Sequence, residues 1–117
     1  MTIAGIVYTI VYTASLGVNL EFDWDFDKNE LNILNHEIDF ADLKDVFEKT
    51  PFLETDQIDG DELRHKRILR FDDGFYLTIV FTYRDSGNVV RFISAFSSSQ
   101  KDRKAYDGRF GGKQRKG

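Results

Sequence analysis

With 117 residues, 41% of them hydrophobic and 15% aromatic, the chain is long enough to bury a core of its own as one compact domain. It has no cysteine, which excludes disulfides, thiolate nucleophiles and cysteine metal ligands, and only two histidines, His36 and His65, so no metal is expected. The net charge of −4 hides an asymmetry: residues 1–20 are uncharged, residues 21–62 hold fifteen acids against three bases, and residues 63–117 hold thirteen bases against five acids.

The uncharged opening, MTIAGIVYTIVYTASLGV, lacks the positive start of a secretion signal. Threonines, tyrosines and glycines break its apolar run short of spanning length, so no membrane segment is expected. The tetrapeptide IVYT occurs twice, at 6–9 and 10–13, and its β-branched and aromatic residues predict a strand or hairpin arm. In NLEFDWD, Leu20, Phe22 and Trp24 alternate with Glu21, Asp23 and Asp25, the pattern of a second strand with one buried face. Asp27 and Glu30 stand in a D-x-x-E capping relation, which predicts a helix with Leu31, Leu34 and Ile38 as its buried stripe. Asp39 and Asp42 repeat the device for a second helix that buries Phe40, Leu43, Val46 and Phe47 and stops near Pro51.

Residues 52–63, FLETDQIDGDEL, are acidic without a sustained period and read as a loop. Three strands follow, RHKRILRF, FYLTIVFTYR and VVRFISAF, joined by DDG and DSGN turns into an antiparallel meander. SSSQKDRKAY predicts a closing helix capped by Ser97, Ser98 or Ser99, and GRFGGKQRKG reads as a basic flexible tail. The expected fold is therefore α+β: two N-terminal helices and one C-terminal helix packed on one face of a mainly antiparallel sheet, with an extra N-terminal strand or hairpin. The expected division is a strand extension over 1–20, the α+β domain over 21–107 and the tail over 108–117. The charge asymmetry means either that the two blocks neutralise each other across the fold, or that a basic face meets phosphate or an acidic face a basic partner.

The stretch FDWDFDKNELNILNHEIDFADLKDVF, with the basic strands behind it, resembles the BrnT family, small ribonuclease toxins of bacterial toxin-antitoxin pairs with a RelE-like fold. Phe22, Trp24, Asp25, Lys28, Asn32, His36, Phe40, Val46 and Phe47 fall on the family's positions without a gap. Downstream, VRFISAFSSSQKDRKAY is similar to the family's R-I-I-S-A-R segment and E-R-R-x-Y helix at Arg91, Ile93, Ser94, Ala95, Arg103 and Tyr106. The resemblance covers residues 21–107. It departs at Asn35, where the family has lysine, at Glu37, where it has glycine, and at Phe96, where it has arginine. Either Arg64 or Arg67 can supply the family's arginine of the first meander strand.

The resemblance implies a metal-independent, cofactor-free endoribonuclease that acts on RNA in the cytoplasm and inhibits translation. Its partner would be an antitoxin of the BrnA type, a ribbon-helix-helix DNA-binding protein, and a homodimer is compatible with it. Such a reaction needs a base for the 2′-hydroxyl proton, cations around the phosphorane oxygens and an acid for the leaving 5′-oxygen. Arg91, with Arg64 or Arg67 on what reads as a neighbouring strand, are the candidate cations, and pairing with the acidic helices is their alternative role. His36 is the candidate acid or base; its alternative is a polar helix end bonded to Asn32 one turn earlier or to the last carbonyls. Lys28, His65, Lys66, Arg103 and Tyr106 are the expected RNA contacts, and Phe75, Tyr76, Phe81, Tyr83, Phe92 and Phe96 divide between core and a base-stacking platform. The competing reading is a protein of this fold that lost catalysis with the two missing cations and binds protein or nucleic acid through its acidic helices or basic strand face.

Overall fold

The structure, a computed structural model, describes residues 7–11 and 20–111, and of residues 7–11 the backbone alone. Its elements in chain order are β1 (Val7–Val11), β2 (Glu21–Trp24), α1 (Phe26–His36), α2 (Phe40–Leu43), β3 (Phe52–Asp59), β4 (Glu62–Arg70), β5 (Tyr76–Arg84), β6 (Val89–Ser97) and α3 (Gln100–Phe110). The six strands form one sheet in the order β1-β3-β4-β5-β6-β2. Only β2 runs parallel to its neighbour, pairing with the first half of β6; every other pairing is antiparallel. The architecture is the expected α+β, with an N-terminal strand added at one edge as β1. The remainder of the proposed N-terminal arm, and the tail beyond Gly111, lie outside the described residues.

Side chains alternate along each strand, so neighbouring residues enter different cores. Leu69, Leu77, Ile79, Phe81, Val90, Phe92 and Ala95 pack with Phe40, Leu43 and Phe47 from α2 and the turns after it. Leu53, Ile68 and Tyr106, joined by Tyr76 and Phe110, form a second cluster beneath α3. The pairs Phe52/Leu53, Ile68/Leu69 and Tyr76/Leu77 each divide between the two clusters. Helices therefore cover both faces of the sheet, and not the single face expected.

The largest correction concerns residues 52–63. They are the β3–β4 hairpin, closed by a two-residue turn in which Gly60 takes φ +64° between Asp59 and Glu62. Their acids suit a strand because they stand opposite bases: Glu54 pairs with Arg67 and Asp56 with His65. The second helix is also shorter than expected, four residues followed by turns through Glu48. In α3 the helix continues through Gly108 to Phe110 and ends on Gly111 at φ +64°, with Ser99 as the N-cap.

Helix α1 corrects two further expectations. Its N-cap is Asp25, whose carboxylate accepts from the Lys28 amide, and not Asp27. Leu31 and Leu34 are 56% and 76% exposed, while the buried residues are Asn29 and Asn32. Asn32 pairs its side-chain amide with the backbone of Ala95, donating from Nδ2 to the carbonyl (2.9 Å) and accepting at Oδ1 from the N–H (3.0 Å). Beyond Phe92, where β2 stops pairing, that edge of β6 would otherwise present bare backbone groups. The helix is thus tied to a sheet edge by polar bonds, which is why its apolar period misleads.

Candidate functional site

The three arginines expected around a phosphate do not converge. Arg67 is 5% exposed and belongs to the core: Nε and Nη2 donate to Glu54 Oε1 (3.0 and 2.8 Å) and Nη1 donates to the Phe47 carbonyl (2.7 Å). The rings of Phe47 and Phe52 lie 3.9 and 3.8 Å from its guanidinium carbon. Arg64, three residues earlier and on the opposite face, is bound by Asp59 (3.1 Å) and Glu62 (2.9 Å) and lines an open groove with Gln57, Val80, Ile93 and Ser94. Arg91 pairs with Asp23 of β2. It lies on β6, with the whole of β5 between it and β4, so these strands are not neighbours.

The expected RNA contacts are also dispersed. Lys66 Nζ bonds Asp102 Oδ1 (2.9 Å) under α3, where Thr78 and Ser98 complete a buried polar group. Tyr106 is 4% exposed and donates to the Pro51 carbonyl (3.3 Å). Lys28 and Arg103 are exposed on α1 and α3, the latter against the opposite face from α2. His36 is exposed at the last position of α1, its ring 5.6 Å from that of Phe96. The expected bond from Asn32 is absent because that amide is engaged with Ala95 and the Ile38 carbonyl. Of the aromatic set, Phe81 and Phe92 are buried core, while Phe75 and Tyr83 keep 39% and 38% of their surface.

What the fold does bring together is a group centred on His65. Glu54 and Asp56 are two apart on β3 and so share a face, and the hairpin register sets His65 of β4 directly opposite Asp56. His65 Nδ1 lies 2.7 Å from Asp56 Oδ1 and 3.8 Å from Glu54 Oε2. Its ring stacks on Phe81 (5.3 Å between centroids) and meets Tyr83 edge to face (5.0 Å). Burial pushes the Tyr83 phenol above its ordinary range, so it remains a neutral donor. The ligand-capable atoms of Glu54, Asp56 and His65 lie within 4.8 Å of one another, the only such trio among the described residues. Glu54 is engaged by Arg67 and the His65 Nδ1 by Asp56, so the trio is a hydrogen-bonded network and not an open coordination shell. An imidazole held at Nδ1 by a carboxylate, a second carboxylate, a guanidinium and a phenol make an acid-base arrangement. Glu54 and Asp56 were not read from the sequence as site residues, and Tyr83 only as one of the aromatics shared between core and stacking platform; the Gly60–Asp61 turn flanked by alternating positions was the signal that would have set the hairpin register and found the two carboxylates.

The model of the family described as "Ribonuclease toxin, BrnT, of type II toxin-antitoxin system" matches residues 24–102. Among solved structures, the ribonuclease toxin BrnT of Brucella abortus is similar, with 27% identity and a TM-score of 0.53 over 69% of this chain and 99% of that one. No curated protein matches the chain in sequence.

Proposed function

This chain belongs to the BrnT family of ribonuclease toxins of type II toxin-antitoxin systems, and we propose that it is a metal-independent endoribonuclease that cuts RNA by 2′-hydroxyl attack and so inhibits translation. The observation that carries the reading is the family match over residues 24–102, which includes both histidines. The toxin unit spans residues 21–107, acts in the cytoplasm, and is held inactive by an antitoxin of the BrnA type. No helix among the described residues is long and apolar enough to cross a membrane.

A second reading has one observation in its favour. Arg64, Arg67 and Arg91 are all engaged by carboxylates of this chain, so among the described residues these three do not form a cluster open to phosphate. A non-catalytic relative that engages its partner through the acidic helices or the basic strands would look the same. Incubating the purified chain with RNA in the presence of chelator separates them. Cleavage to products with 5′-hydroxyl ends is expected, together with growth arrest on expression that co-expression of the cognate antitoxin relieves. Intact RNA at high protein concentration, with chelator or without it, would leave only the binding reading.

A further inference from the structure

The two histidines stand in opposite circumstances. His36 is exposed, and among the described residues neither ring nitrogen has a hydrogen-bond partner. Nothing among the described residues selects a tautomer for it, so neither ring nitrogen is singled out as the lone-pair site. His65 is constrained on every side that the fold provides: Asp56 and Glu54 on β3, Arg67 through Glu54 on its own strand, and Phe81 and Tyr83 on β5. Ionised carboxylate oxygens only accept, so with Asp56 Oδ1 at 2.7 Å the Nδ1 must carry a proton, and whenever the ring is neutral its lone pair is on Nε2. A carboxylate that fixes the tautomer of a base and stabilises the imidazolium it becomes is the arrangement that lets histidine accept a proton in catalysis. The charges nearly cancel once the proton arrives: Arg67 offsets Glu54, and the imidazolium offsets Asp56.

Resting on the ribonuclease reading above, we propose that His65, at Nε2, takes the proton of the attacking 2′-hydroxyl, and that Asp56 is its positioning residue. As the O–H bond breaks toward Nε2, the 2′-oxygen forms its bond to phosphorus. The bond from phosphorus to the 5′-oxygen breaks, and that oxygen takes a proton from water. The products are a 2′,3′-cyclic phosphate and a 5′-hydroxyl, with no change of oxidation state. His65 keeps 12% of its side-chain surface, beside the half-exposed Asp56 and Tyr83.

The test uses the full chain, a labelled RNA and chelator. His65→Gln, which retains an amide to donate to Asp56, is expected to lower cleavage at least about 100-fold, the usual worth of a general base, while RNA affinity and the unfolding midpoint are held. Imidazole in solution is expected to restore part of the cleavage to His65→Ala. Asp56→Asn is expected to displace the pH-rate profile, and Asp56→Glu to bring it back, which loss of packing alone would not do. Nitrogen NMR of the wild-type chain, independent of activity, is expected to show the His65 proton on Nδ1. A wild-type chain that cuts RNA while His65→Gln cuts equally well overturns this assignment and leaves the ribonuclease reading standing, as does a deprotonated Nδ1 in the neutral ring. A wild-type chain that never cuts overturns both.

Discussion

Arg67 shows how a residue with a catalytic chemistry can carry a structural task. Its guanidinium is a planar, weakly hydrated cation that can lie between aromatic rings and still fork onto a carboxylate, and here it does both, between Phe47 and Phe52 and on Glu54. Lysine could not reproduce the arrangement, and loss of cleavage in an Arg67 variant would first report a broken core. Glu37 is the opposite case, a residue at odds with its place. It ends α1 in the left-handed conformation at φ 62°, its N–H closing on the Ile33 carbonyl (2.8 Å), which is where helices favour glycine and where the BrnT pattern has one. The Cβ of glutamate is crowded in that conformation, whereas glycine is not. Glu37→Gly is expected to stabilise the chain by about 1 kcal/mol, read as a higher urea midpoint with an unchanged slope. An unchanged or lower midpoint would mean that the glutamate has contacts that compensate for the conformation.

At the scale of elements, α1 is fastened by amides where an apolar stripe was expected. Asn29 accepts from the Phe40 amide (2.8 Å) and donates to Asp39 (3.0 Å), and Asn32 pairs with Ala95, so the two asparagines fix the helix to the start of α2 and to the edge of β6. Removing such a partner leaves buried backbone groups unsatisfied, and Asn32→Ala is expected to cost about 2 to 3 kcal/mol. Leu34→Ala, at a solvent position, is expected to stay within about 0.5 kcal/mol. Reversal of that order in urea unfolding would show that the helix is seated by its leucines after all. The same contrast explains what could be read in advance. The meander, the capping of α2 by Asp39 and the closing helix were legible because alternation and caps are local signals. Hairpin β3–β4 and the seat of α1 were not, because the first hides its strand behind charges that only the opposite strand neutralises, and the second depends on a contact 63 residues away. The His65 group fell in the same gap. Its histidine was noted as an RNA contact, but its carboxylates lay in what read as a loop.

For the whole molecule, part of the charge asymmetry resolves into contacts between the two halves. Arg64, Arg67 and Arg91 from the basic half engage Glu62 and Asp59, Glu54, and Asp23 from the acidic half. One sheet carries both cores, with the Phe40–Phe47 cluster on one face and the Leu53–Tyr106 cluster on the other, and both draw on the same strands. A strand cannot lose its packing on one side and keep its register on the other, so the two cores should melt together. Trp24, the single tryptophan, packs against the first cluster and is blind to the second, which makes it a reporter of that coupling. Leu53→Ala, at a fully buried position under α3, is expected to cost about 2 to 5 kcal/mol. If the sheet couples the faces, Trp24 fluorescence and far-ultraviolet circular dichroism will shift by the same amount in that variant and remain coincident. A Trp24 transition that stays at the wild-type midpoint while the dichroism moves would show that the face beneath α3 unfolds on its own.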